Sequence, residues 1–85
     1  MTLIENNELQ ITAVGVVIPV EWDEKGIPRA FAVSTYREQE YLIDNLTGPG
    51  RRLMKQVHRK IRVTGTLGVV VNNRRVITVN RYERI

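Results

Sequence analysis

Val63–Val79 reads VTGTLGVVVNNRRVITV. Two runs rich in β-branched residues flank Asn72-Asn73, and asparagine is one of the few residues that tolerates the positive φ of a tight two-residue turn. The stretch is a β-hairpin. Extended outward, its first arm is a strand over Lys60–Val71, in which Ile61, Val63, Gly65, Leu67 and Val69 alternate with Arg62, Thr64, Thr66 and Gly68. Its second arm is a strand over Arg74–Glu83, with Ile77 and Val79 inward and Thr78 and Asn80 outward.

Upstream of the hairpin, Arg51–Arg59 (RRLMKQVHR) puts Leu53, Met54 and Val57 at helical spacing, so a helix of two to three turns is expected there. Its last turn would carry His58, Arg59 and Lys60, positive charge that suits a helix C-terminus. Thr47-Gly48-Pro49-Gly50 reads as a chain break before it. Further upstream lie three more strand patterns, Leu9–Val20, Arg29–Thr35 and Glu40–Leu46. Gly15 inside the first predicts a bulge or sharp bend, and Pro19 predicts a strand end at a sheet edge. Residues 21–28 (EWDEKGIP) and 36–39 (YREQ) are turn chemistry. Residues 1–8 are polar and expected to be flexible, leaving 9–85 as a single domain.

The order strand, strand, strand, helix, strand, strand, with a long first strand bent at a glycine, resembles the oligonucleotide/oligosaccharide-binding fold, a five-stranded Greek-key barrel. The ending strengthens the resemblance: Ile61–Leu67 followed by Val76–Tyr82 is similar to the last hairpin of many such domains. The chain also resembles small single-domain bacterial proteins of that type. The expected fold class is therefore all-β with one short helix, a five-stranded barrel carrying its helix between strands three and four. A small barrel of SH3 type is the competing reading, although such barrels usually lack a helix at this point.

The chain has 85 residues, no cysteine and one histidine. Disulfides, thiolate metal sites and multi-histidine clusters are thereby excluded. A chain this small buries only roughly 60% of its unfolded surface, so the core is modest. No P-loop, nucleophile elbow or dinucleotide fingerprint occurs, and neither enzyme activity nor a cofactor is expected. Glu21, Asp23 and Glu24 lack the spacing of a calcium loop, and no metal site is expected. The opening Met1–Asn7 has no basic or apolar leader, and no apolar run is long enough for a membrane span; a cytoplasmic protein is expected.

The net charge of +4 is unevenly spread. Residues 1–45 hold eight acids and three bases, a balance of −5, whereas residues 46–85 hold ten bases and only Glu83 as an acid, a balance of +9. Only Lys25, Lys55 and Lys60 of the thirteen bases are lysines, and arginine favours bidentate contacts to phosphate and carboxylate.

The resemblance implies a ligand lying across strands two and three, between the first-to-second and fourth-to-fifth loops. Arg74 and Arg75 fall in the latter, where they either contact phosphate or keep a hairpin tip soluble. Yet the acids Glu21, Asp23, Glu24, Glu38 and Glu40 surround that face and repel phosphate. Single-stranded DNA or RNA would therefore be held non-specifically by the basic second half: Arg51, Arg52, Lys55, Arg59, Arg62, Arg74, Arg75 and Arg81. Trp22 and Tyr36 flank turns and are the candidates for base stacking, the alternative for each being a packing cap. Phe31 is expected to face the core, Tyr41 is ambiguous, and Tyr82 should cover the barrel end near Tyr41 or the helix. A protein partner docking on segregated acidic and basic faces is the second functional reading.

Overall fold

The computed structural model describes residues 9–37, 39–44 and 48–85. Five strands are formed: β1 (Leu9–Trp22), β2 (Pro28–Thr35), β3 (Glu40–Ile43), β4 (Lys60–Val71) and β5 (Arg74–Arg84). They close into a barrel in the order β1-β2-β3-β5-β4, with β4 returning to β1. All neighbours are antiparallel except β3 and β5, which run parallel. A helix α1 (Gly48–Leu53), extended by a 3₁₀ turn over Met54–Gln56, lies between β3 and β4. The expected fold class therefore holds. Among the described residues no helix is long and apolar enough to cross a membrane.

The core follows the period-two alternation of the strands. Val17, Val33, Ile43, Ile61, Val63, Ile77 and Val79 face inward and are buried, and Leu53 enters from α1. Each such side chain contributes about 1.5–3 kcal/mol by leaving water. Phe31, Met54, Val57 and Tyr82 are half-buried and pack against this cluster. The expected inward alternation of β4 stops at Leu67, because the β4–β5 register shifts between Leu67 and Val70; Val69 is exposed.

Gly15 is explained differently from the sequence expectation. Neither ladder is irregular there: Gly15 is paired with Thr35 on one side and Ile61 on the other. A Cβ at Gly15 would lie 2.4 Å from the Ser34 carbonyl oxygen, so the glycine permits the close approach of β1 to β2. The irregularities of β1 sit instead between Pro19 and Trp22. Pro19 does fall where β1 has one neighbour, since the pairing with β4 ends at Val16.

The helix is displaced from its expected span. Gly48-Pro49-Gly50 forms its first turn and does not precede it. Proline is tolerated there because its missing N–H would have had no partner in a first turn anyway. At the other end, Val57 has extended backbone and bridges to Val17, and His58 takes φ 69°. The His58 N–H donates to the Val17 carbonyl at 2.7 Å, and the Val17 N–H donates to the Arg59 carbonyl at 3.3 Å. His58, Arg59 and Lys60 thus lie beyond the helix and do not form its last turn. The expected last residues of strand three, Asn45 and Leu46, lie outside the described residues.

Candidate functional site

Asn72 and Asn73 form the turn between β4 and β5, both at positive φ, so Val71 opposes Arg74. The two arginines that follow are adjacent in a strand, and their side chains leave on opposite faces. Arg74 is half-buried on the outer face, where its Nε donates to Glu40 Oε1 at 2.7 Å. Arg75 pairs in register with Tyr41 and Val70, on the face that becomes the core at Ile77. Asn72 Nδ2 donates to Glu21 Oε2 at 3.2 Å, joining the fourth-to-fifth loop to the acidic end of β1. The arginine pair therefore does not form one anion site.

The acidic loop is occupied with its own structure. Asp23 Oδ1 accepts from the Lys25 and Ile27 N–H groups at 2.8 and 2.9 Å, a side-chain turn that fixes Trp22–Ile27. Trp22 is 55% exposed beside it. Tyr36 is 84% exposed and lines an apolar groove with Val14, Val16, Ile18 and Lys60. Both stacking candidates are on the surface. Neither one lines the grooves beside α1.

The cations that do converge surround α1. Its sequence GPGRRL has no acid, and Arg51 and Arg52 occupy its last turn. Leu53 is buried beneath, so the helix lies with its apolar residues on the barrel and its arginines outward. On one side of α1, Phe31, Gly48, Arg51, Arg52, Met54 and Lys55 line a recess of about 530 Å³. On the other side, Pro49, Arg52 and Gln56 face Asn80, Arg81, Tyr82, Glu83 and Arg84 of β5 across a groove of about 570 Å³. Arg52 belongs to both. This second groove continues into a smaller one lined by Thr12, Arg62, Thr64, Arg81, Tyr82 and Glu83.

Antiparallel pairing explains the convergence. β4 leaves the helix at Lys60, and β5 returns along it until Arg84 opposes Ile61 and Tyr82 opposes Val63. Residues some thirty positions apart in sequence thus meet at one end of the barrel.

Among the described residues two ion pairs form, Arg74–Glu40 and Arg62–Glu83. The second, at 3.0 Å between side chains 48% and 62% exposed, is a solvent-screened pair of small energy. Arg51, Arg52, Lys55, Arg81 and Arg84 make no ion pair with any described carboxylate. Of the eight sequence candidates, then, Arg51, Arg52, Lys55 and Arg81 share one continuous surface, and Arg62 lies at its margin. Arg59 is exposed in the turn after the helix, while Arg74 and Arg75 are part of the hairpin. Sequence reasoning placed Phe31 in the core. It packs there and also lines the recess beside the helix. Tyr82 packs against the core cluster and lines the groove beside α1.

No protein-family model matches the chain, and neither a curated protein nor a solved structure does.

Proposed function

We propose that this protein is a non-catalytic binding module for single-stranded nucleic acid, held non-specifically over the helix side of the barrel. The observation that carries the reading is the run of Arg51, Arg52, Lys55, Arg81 and Arg84 along two grooves that share Arg52, with no described carboxylate paired to any of them. Backbone phosphates supply the compensating charge in this reading, and arginine forks suit them. Membership of the oligonucleotide/oligosaccharide-binding superfamily is part of the same proposal. It is supported by the strand order, the helix between β3 and β4, and the close approach at Gly15. The ligand path differs from that of the family. The outer face of β2 and β3 carries Glu40, paired with Arg74, and borders the acids of the first loop.

Five cationic contacts imply a slope of about −3.5 in log K against log salt for a single strand, or roughly a hundredfold loss between about 50 and about 200 mM. Arg52→Gln should flatten that slope by about 0.7, because one phosphate contact is removed. Fluorescence anisotropy of a labelled oligomer over a salt series measures both. Absence of binding at the lower salt, or a slope near zero, would refute the reading.

A protein-interaction module is the second reading. Its specific support is the exposure of Trp22 and Ile27 at the loop that carries Glu21, Asp23 and Glu24. It calls for a basic partner at that loop, and the loop's amide shifts would report it.

A further inference from the structure

The two grooves beside α1 differ in chemistry. The one against β5 is mostly polar, with Arg52, Arg81 and Arg84 as its cations beside Gln56, Asn80 and Glu83. The other has an apolar floor, Phe31 from β2 and Met54 from the 3₁₀ turn, under a rim of Arg51, Arg52 and Lys55. Phosphate alone needs no apolar floor. A simple cationic stripe for duplex backbone would need no ring and thioether beneath its cations.

Resting on the nucleic-acid reading, we infer that the Phe31–Met54 recess takes an unpaired base, and that the same strand continues past Arg52 to lay its phosphates on Arg81 and Arg84. A flat base has an apolar face for the ring and thioether, and its own phosphate reaches the rim arginines. Arg52 is the hinge of the path because it lines both grooves. A base inside a duplex is stacked and paired, so it cannot enter the recess without being extruded. The recess therefore selects single strands over duplexes.

The test compares a thymidylate oligomer with an abasic oligomer of equal length and with the corresponding duplex, all at about 50 mM salt. The unmodified protein is used, so no variant has to fold. The expected result is that the thymidylate strand binds about tenfold tighter than the abasic strand, with the Met54 methyl and Phe31 ring resonances shifting only for the former. Equal affinity for the thymidylate and abasic strands would overturn the base recess and leave the cationic surface standing. A duplex bound as tightly as the single strand would overturn it likewise. If neither strand binds, the functional reading itself falls. An acidic peptide carrying phenylalanine that matches the thymidylate strand would assign the recess to a protein segment instead. As a second check, Met54→Gln should weaken thymidylate binding several-fold and leave abasic binding unchanged.

Discussion

Gly15→Ala is the substitution whose effect the geometry determines most directly. An added Cβ would sit 2.4 Å from the Ser34 carbonyl oxygen, 2.9 Å from its carbon and 3.1 Å from Val33 Cγ1. Carbon and carbonyl oxygen normally approach to about 3.3 Å, so the overlap is close to 1 Å. Two of the three atoms are backbone, and Gly15 is paired on both sides, to Thr35 and Ile61. Neither neighbour can rotate away. β1 and β2 must separate locally, and ladder bonds that start near 2.9 Å then leave hydrogen-bonding range. Overpacking costs about 1–3 kcal/mol. One weakened backbone bond adds about 1 kcal/mol. Reduced freedom of the unfolded chain returns about 0.5 kcal/mol. The net is a destabilisation of about 2.5 kcal/mol, which for a domain of this size lowers Tm by roughly 10–20 °C.

The control is Gly68→Ala, where the nearest atom to an added Cβ is the Val76 carbonyl oxygen at 3.7 Å, an ordinary contact. Its stability should change by less than about 1 kcal/mol. Thermal unfolding followed by circular dichroism measures both variants. If Gly15→Ala melts within a few degrees of the parent protein, β1 and β2 do not approach each other as described, and the account of the glycine is wrong.

Two further predictions concern charge. Glu83 is the one acid in the basic grooves, and its pair with Arg62 is exposed; Glu83→Gln should cost under about 0.5 kcal/mol in urea unfolding. The same change should tighten single-strand binding two- to threefold, by anisotropy, because a repelling carboxylate is lost and Arg62 is released. Arg74→Met removes a half-buried 2.7 Å partner from Glu40 and should cost about 1 kcal/mol, with no change in the salt slope of nucleic-acid binding; a lowered slope would return the hairpin arginines to the site.

Strand β4 spans Lys60–Val71 as read, and from Ile61 to Leu67 its alternation of β-branched and polar residues admits one pairing with the core. β1 was less readable. Val14, Val16 and Ile18 are apolar on its outer face as well, so the pattern alone did not say which side was core. The helix was misplaced by three residues at its start because a proline between two glycines serves equally as a break and as a first turn. The second role for Phe31 could not be read at all. Whether a half-buried ring also borders a surface recess depends on where α1 packs, and no local pattern encodes that.

The arginines are a different case: the helix and β5 cations were legible as one set, but the hairpin pair was wrongly included in it. Arg74 and Arg75 looked like a pair through adjacency, yet adjacency in a strand separates two side chains to opposite faces. Arg52 and Arg81 were grouped only as members of the basic second half, yet the hairpin itself gives the reason that they and Arg84 meet. A two-residue turn at Asn72-Asn73 sets Val71 opposite Arg74, and an unbroken ladder counted back from there sets Ile61 opposite Arg84. That is the pairing found, although two register irregularities intervene, between Leu67 and Val70 and between Thr64 and Gly65. They offset each other, so the far end of the ladder returns to the register the turn dictates. Since β4 begins three residues after the helical segment, what opposes Ile61 and Val63 is carried to the α1 end of the barrel. The cationic surface thus follows from a turn and a count: the basic residues of the helix and those closing β5 are brought together by antiparallel pairing, on the side of the barrel that the helix covers.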